Sequence, residues 1–200
     1  MTKIIIATSN SNKKYEIEEF MKDCNIEFCC QSDFQIKPCD EPYNTFVENA
    51  LTKARHASQA TSLPAIADDS GICVDALNGN PGILSARYAG SKATDTMNIK
   101  KLLKELEYIQ NRRAHFYCSL VFIRNHLDPE PFITEGFWHG EILKEEKGSF
   151  GFGYDPIFFD YKTEKSAAEL PFNIKNRISH RGQALQKLKL KIKMIYDQKK

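Results

Sequence analysis

Three consecutive isoleucines, Ile4, Ile5 and Ile6, lead into a polar stretch, and so short an apolar run predicts a buried strand over 3–8. Over 13–24, Tyr15, Ile17, Phe20 and Met21 offer one apolar helical face, and 26–30 reads as a second strand. Strand, loop, helix, strand is the opening of an α/β protein. Thr45-Phe46-Val47-Glu48 fits a capping box, with Thr45 as N-cap and Glu48 reaching back, so a helix is expected from there to about residue 60. Segments 64–67 and 72–77 read as strands flanking Asp68-Asp69-Ser70-Gly71. A further helix is expected over 94–108, with Met97, Ile99, Leu102, Leu103 and Leu106 as its apolar positions. Segments 114–124 and 132–142 read as two long strands forming an antiparallel pair across 125–131, the base of a second lobe. Residues 187–193 alternate Lys with Leu or Ile, as a half-buried strand would, yet Leu185, Leu188, Ile192 and Ile195 also make one helical stripe. The polar start at 179–183 and the helix formers that follow favour helix, with the lysines on a solvated face.

Composition narrows the class. A chain of 200 residues accommodates one large domain or two closely joined lobes and can bury a sizeable core. Its 42% hydrophobic and 27% charged residues are those of a globular protein. The 28 basic and 26 acidic residues leave a net charge of +2, which disfavours a general nucleic-acid or membrane-surface binder. No apolar run approaches the roughly 18 residues of a membrane span, and the apolar start is too short for a signal-peptide core, so a cytoplasmic location is expected. Of the six cysteines four fall between 24 and 39, but none forms C-x-x-C; they read as reduced thiols, with a cysteine-metal regulator as the distant alternative.

Four constellations have chemical potential. Thr8, Ser9, Asn10, Ser11, Asn12 and Lys13 lie between the first strand and helix, where backbone N–H groups and the positive helix end suit phosphate; the alternative is an ordinary N-cap with a surface lysine. Asp68 and Asp69, with Glu41 as a further carboxylate, suit Mg²⁺ bound jointly with substrate phosphates, or the activation of a water; a capped turn is the alternative. In Ser149-Phe150-Gly151-Phe152-Gly153-Tyr154-Asp155-Pro156, glycines permit close backbone approach and rings offer faces to a flat heterocycle; core phenylalanines at a turn are the alternative. Lys175-Asn176-Arg177-Ile178-Ser179-His180-Arg181-Gly182 sets cations and an imidazole just before a helix, an anion site or base-edge reader, or else a solvated basic entry. There is no Walker loop, zinc-deaminase signature, H-E-x-x-H or G-x-S-x-G; His56, His115 and His126 read as structural or exposed.

Six ordered segments resemble the inosine triphosphate pyrophosphatase family, its bacterial dITP/XTP branch most closely. They are Ala7-Thr8-Ser9-Asn10 through Lys13; Thr45-Phe46-Val47-Glu48-Asn49-Ala50 with Lys53-Ala54; Ala65-Ile66-Ala67-Asp68-Asp69-Ser70-Gly71; Pro81-Gly82-Ile83 with Ser85-Ala86-Arg87-Tyr88-Ala89-Gly90; Phe152-Gly153-Tyr154-Asp155-Pro156-Ile157-Phe158; and Ser179-His180-Arg181-Gly182-Gln183-Ala184-Leu185. The resemblance implies an α/β fold of one domain over 1–200, with two lobes around a long, mixed, twisted sheet with flanking helices, and a site in the cleft between the lobes. It implies Mg²⁺-dependent cleavage of ITP, dITP or XTP between the α- and β-phosphates, and a homodimer with no nucleic-acid or membrane partner. By position, Thr8 to Lys13 falls on the phosphate loop, Asp69 on the catalytic, metal-linked carboxylate, and Glu41 on a metal-associated glutamate, with Asp68 assisting. Ser70, Lys175, Phe152, Gly153, Tyr154, Asp155, His180 and Arg181 fall on substrate contacts. Ser9 stands where the family loop has glycine: strained if that position needs φ > 0, a further donor if it does not. A related Maf-type pyrophosphatase and an RNA-binding module are the competing readings.

Overall fold

The Ile4–Ile6 run can be apolar throughout because helices cover both faces of the strand that contains it. In the computed structural model, which describes residues 2–197, the strands are β1 (Thr2–Ile6), β2 (Ile26–Cys30), β3 (Ala65–Val74), β4 (Arg113–Ile123), β5 (Phe132–Ile142), β6 (Phe158–Asp160) and β7 (Lys165–Ser166). The helices are α1 (Ser11–Met21), α2 (Phe46–Thr61), α3 (Asp95–Glu105), α4 (Phe172–Ile178) and α5 (His180–Asp197). One seven-stranded sheet has the order β2-β1-β3-β4-β5-β6-β7. β1 pairs in parallel with β2 and β3, whereas β6 pairs antiparallel with β5 and β7, so the sheet is mixed as expected. β4 and β5, the two long strands, are neighbours in it.

The chain divides into two compact units. The first runs through Asp69 and adds Cys118–Gly136 and the chain from Arg181; the second is Ser70–Tyr117 with Phe137–His180. In the first unit, side-chain alternation along the strands sorts two apolar layers. Ile4, Ile6, Ile66, Cys118, Leu120 and Phe122 pack with Ile17 and Met21 of α1 and with Leu185, Leu188 and Ile192 of α5. Ile5, Ala7, Ala65, Ala67, Val121 and Ile123 face Ala50, Ala54 and Ala57 of α2. The alanines on both sides bring α2 close to the sheet. Leu188 and Ile192 of the C-terminal stripe are buried, which settles the alternating lysine segment as helix. Its lysines clamp neighbours: Lys187 Nζ donates to the Glu135 carbonyl at 2.6 Å and Lys189 Nζ to the Phe20 carbonyl at 2.9 Å.

Three expectations need correction. Asp68-Asp69-Ser70-Gly71 is not a turn between two strands: β3 runs through it without a break, and residues 75–77 form a short 3-10 turn instead. Polar residues are tolerated within that strand because the carboxylates meet cations. Glu48 does not reach back to the N-cap amide: Thr45 Oγ1 accepts from the Glu48 N–H at 3.4 Å, and its own hydroxyl donates to Glu48 Oε2 at 2.5 Å. The basic segment is not simply a helix entry, since Lys175, Asn176 and Arg177 already lie within α4.

In the second unit, Ile72, Val74, Ile99, Leu102, Leu106, Phe116, Trp138, Ile157 and Phe158 form one core. Gly71 lies where the 3-10 turn over Gly82–Arg87 presses on β3: a Cβ there would stand 2.2 Å from the Gly82 carbonyl oxygen and 2.5 Å from Ser85 Oγ. Ser85 Oγ accepts from the Ile72 N–H at 2.9 Å and donates to the Gly82 carbonyl at 2.6 Å. Among the described residues, no helix is long and apolar enough to cross a membrane. Gly71→Ala is expected to destabilise the fold by about 1–3 kcal/mol, the range for overpacking a closed contact, read as a lowered urea midpoint; an unchanged midpoint would show that the 3-10 turn shifts freely.

Candidate functional site

Asp68 and Asp69 are adjacent on β3, so their side chains leave opposite faces of the strand. Asp68 shares the parity of Ile66 and points to the α1 and α5 side; Asp69 shares that of Ala65 and Ala67 and points to α2. Each meets cations sent from those helices.

On the first face, Asp68 Oδ2 lies 3.0 Å from Lys13 Nζ and 3.1 Å from Arg181 Nη2. Arg181 also donates to Glu16 of α1, and Glu16, Asp68 and Arg181 are all buried. Burial alone would raise the Asp68 pKa, but Lys13 and Arg181, then Lys53, hold it far below the ordinary carboxylate range. Arg181 is correspondingly held above its usual value: Glu16 and Asp68 outweigh the cost of burial. Cys118, also buried beside this cluster, has its thiol pushed up to about 12, chiefly by desolvation.

On the second face, Lys53 Nζ stands 3.1 Å from Asp69 Oδ1 and 3.4 Å from Glu41 Oε1. Buried Asn49 braces the segment beside Glu41: its Oδ1 accepts from the Tyr43 N–H at 3.1 Å and its Nδ2 donates to the Tyr43 carbonyl at 3.1 Å. Desolvation dominates at Asp69 and raises its pKa, with Lys53 and Lys13 opposing and Glu41 reinforcing. At Lys53 burial works against the charge, but Asp69, Asp68 and Glu41 together raise its pKa. Asp69 Oδ2 is buried without a hydrogen-bond partner. Two hard carboxylates sharing one ammonium, with one carboxylate oxygen unengaged, suit Mg²⁺ taken up together with phosphates. The expected trio of Glu41, Asp68 and Asp69 is not assembled, because Asp68 faces the other side of β3; among the described residues no three His, Cys, Asp or Glu side chains form a metal-holding group.

The phosphate-loop residues sit at the start of α1. Asn10 is the N-cap, its Oδ1 accepting from the N–H groups of Asn12 at 2.9 Å and Lys13 at 3.2 Å; Thr8 Oγ1 accepts from the Asn10 N–H at 3.2 Å. Those helix-start amides are therefore already capped, and Ser9, Ser11 and Asn12 stand exposed around them. Ser9 has no positive φ, so serine is unstrained where the family has glycine.

The second unit holds the remaining expected residues. Asp155 is buried; its Oδ2 lies 2.5 Å from Lys175 Nζ and accepts from the Phe152 N–H at 2.9 Å. Lys175 Nζ also stands 4.8 Å from the Phe152 ring centroid. The Gly153 N–H donates to Asp95 Oδ2 at 2.7 Å, and the Tyr154 hydroxyl to the Ser85 carbonyl at 2.9 Å. His180 stacks on Phe116 at 4.7 Å with the planes 10° apart. Ser70 follows Asp69 on β3 and is half-buried. Asp155 and Tyr154 are thus engaged as internal anchors.

Sequence reasoning missed Glu16, Lys53 and Asn49. Glu16 interrupts the apolar face of α1 and carried no motif. Lys53 was visible as part of the Lys53-Ala54 match but was given no role. Asn49 follows the capping sequence and reveals nothing until its partner at Tyr43 is placed.

The Ham1 family profile matches residues 4–191. The dITP/XTP pyrophosphatase of Nitrosomonas europaea is 53% identical over 188 residues, 94% of this chain and 93% of that protein. That of Escherichia coli K12 is 47% identical over 190 residues, 94% and 96% of the two chains. The solved structure of a HAM1 protein from Coxiella burnetii superposes with a TM-score of 0.92 at 46% identity, over 97% of this chain and 100% of that one.

The paired charges make a pH prediction. The Asp68 pKa is lowered in the fold from 3.8, so its stabilisation is complete above that value and is lost as pH falls through it toward the folded-state pKa. Asp68→Asn is expected to flatten the acid limb of stability against pH. It is also expected to cost about 3–5 kcal/mol near neutrality, because Lys13 and Arg181 lose their shared counter-charge. Urea unfolding at several pH values reads both effects, and an acid limb as steep as in the wild type would contradict the assignment.

Proposed function

The chain belongs to the Ham1 family, and from that premise we propose that it hydrolyses the non-standard purine nucleoside triphosphates dITP, ITP and XTP to the monophosphate and pyrophosphate, cutting between the α- and β-phosphates. The observation that supports this best is the division of labour across β3, where Asp68 is locked in ion pairs with Lys13 and Arg181 while Asp69, paired with Lys53 beside Glu41, keeps one oxygen without a hydrogen-bond partner.

A triphosphate repels an incoming nucleophile by its own charge. Asp69 and Glu41 would hold Mg²⁺, which when bound neutralises phosphate oxygens and the pyrophosphate leaving group. Asp69, with one carboxylate oxygen buried and free of a hydrogen-bond partner, orients the attacking water and takes its proton. Lys53 fixes the spacing of the two carboxylates. Lys13, with Thr8, Ser9, Asn10, Ser11 and Asn12 around the helix start, positions the phosphates. In the second unit, Phe152 supplies a ring to the base, and Lys175 and His180 supply donors. Hypoxanthine and xanthine carry an oxygen at C6 where adenine carries an amino group, so a buried donor rewards the former and is left unpaired by the latter. Arg181 contributes by keeping Glu16 and Asp68 in place. The working species on this reading is a cytoplasmic homodimer without nucleic-acid or membrane partners.

Purified protein with Mg²⁺ is expected to release pyrophosphate, not orthophosphate, from dITP, ITP and XTP, with ATP and GTP turned over far more slowly. A preference for pyrimidine triphosphates would instead favour a Maf-type enzyme, and salt-sensitive RNA binding without hydrolysis an RNA-binding module. Asp69→Asn is expected to lower kcat by about 10²–10⁴-fold with a smaller change in KM. Near-wild-type turnover would remove Asp69 from the chemistry.

A further inference from the structure

Segment 152–155 closes partly on itself. The Phe152 N–H donates to Asp155 Oδ2 at 2.9 Å, and the Asp155 N–H to the Phe152 carbonyl at 3.3 Å. Its buried side is tied down by the Tyr154 hydroxyl on the Ser85 carbonyl, whereas Phe150 just upstream is exposed. None of these bonds holds the peptide of Gly153. That N–H donates to Asp95 Oδ2 at 2.7 Å, a carboxylate 58 residues away in sequence. Gly153 has φ +62°, and a Cβ there would meet nothing within 4 Å among the described residues. Packing therefore leaves this position open, and the Asp95 carboxylate is what fixes it.

Asp95 reaches the turn from a fixed helix. Thr94 is the N-cap of α3, its Oγ1 accepting from the Met97 N–H at 3.3 Å, and Asp95 is the first helical residue. One turn on, buried Asn98 accepts from the Ala89 N–H at 2.8 Å and donates to the Ala86 carbonyl at 3.2 Å. Lys101 Nζ donates to the Tyr88 carbonyl at 2.7 Å, and the Tyr88 hydroxyl donates to Glu105. Ile99 and Leu102 of the same helix are part of the core of the second unit. The helix is thus secured by its own side chains, without the bond to Gly153. Asp95 itself is exposed, and a hydrogen bond in water adds little to the stability of a fold. What the bond does accomplish is local: it orders one peptide of a turn whose neighbouring residues are assigned to the nucleotide.

We propose that Asp95 is a positioning residue: by holding the Gly153 amide it presets the 152–155 turn for the purine base and removes an ordering cost that binding would otherwise meet. This rests on the nucleotide reading given above. Asp95 acts through Gly153, so its effect falls on affinity for the base end of the nucleotide and not on cleavage of the anhydride.

The test uses two variants. Asp95→Ala removes the acceptor, whereas Asp95→Asn keeps a carbonyl oxygen at the same reach and removes only the charge. Asp95→Ala is expected to raise KM for dITP and XTP by about 3- to 10-fold while kcat stays within about twofold. Inhibition by pyrophosphate, which has no base, is expected to stay unchanged. Asp95→Asn is expected to bring KM back to within about twofold of the wild type. Amide hydrogen exchange at Gly153, followed by NMR, is expected to quicken in Asp95→Ala and to stay near wild type in Asp95→Asn. A role confined to charge at the start of α3 would make the two variants alike, which overturns the proposal. So do an unchanged KM in Asp95→Ala, an equal weakening of dITP and pyrophosphate, and a large fall in its urea midpoint, which would make Asp95 a folding residue. Wild-type protein that releases no pyrophosphate from dITP would overturn the parent reading instead, a failure distinct from an active wild type matched by Asp95→Ala.

Discussion

A buried carboxylate has to be neutralised where it stands, and in this protein that requirement organises the first unit. Asp68 is buried, and the Lys13 ammonium and the Arg181 guanidinium, with Lys53 behind them, keep it ionised. Arg181 is buried in turn and needs Glu16 as well. A strand and two helices distant in sequence are thus joined by charge as well as by the apolar layer of Ile66, Ile17 and Leu185. Removing one member leaves the others uncompensated, so the cluster behaves as a unit rather than as a sum of pairs.

The continuity of β3 follows from the same constraint. Taken alone, two aspartates, a serine and a glycine in succession favour a turn. Here strand geometry sends the two carboxylates to opposite faces, and cations from α1, α5 and α2 wait on both. The consequence is chemical: neighbours in sequence acquire opposite character. Asp68 is held far below the ordinary carboxylate value by its cations, whereas desolvation raises Asp69 from it. Divergent environments of this kind separate a permanently ionised structural group from one able to exchange a proton.

The second unit uses its charges more sparingly. Asp155 collects the Lys175 ammonium and the Phe152 amide, so one carboxylate sets both a cation and the backbone that carries an aromatic ring. Gly71 and Gly151 show what such close contacts demand: a side chain at the first would meet the Gly82 carbonyl, and one at the second would press on the Asp155 carboxylate from a backbone with φ +78°. The aromatic–glycine segment is therefore a built turn, and its three rings divide into a core anchor, a pinned ring and an exposed one.

Local sequence sufficed where local physics decides. The isoleucine run and the capping residues before α2 specify strand and helix start through periodicity and capping, helix formers tip the doubly periodic α5 segment toward helix, and the six matching segments carry the family. The candidate loop, the paired aspartates and the aromatic–glycine turn were legible as chemistry for the same reason. What the sequence by itself left undetermined was pairing across distance: that Asp68 and Asp69 part company, that Lys53 rather than a third carboxylate stands between Glu41 and Asp69, and that Glu16 serves Arg181. Those outcomes depend on which helix covers which face of β3. Only the tertiary structure decides that, because the free energy of a buried charge is set by its neighbours in space and not by its neighbours along the chain.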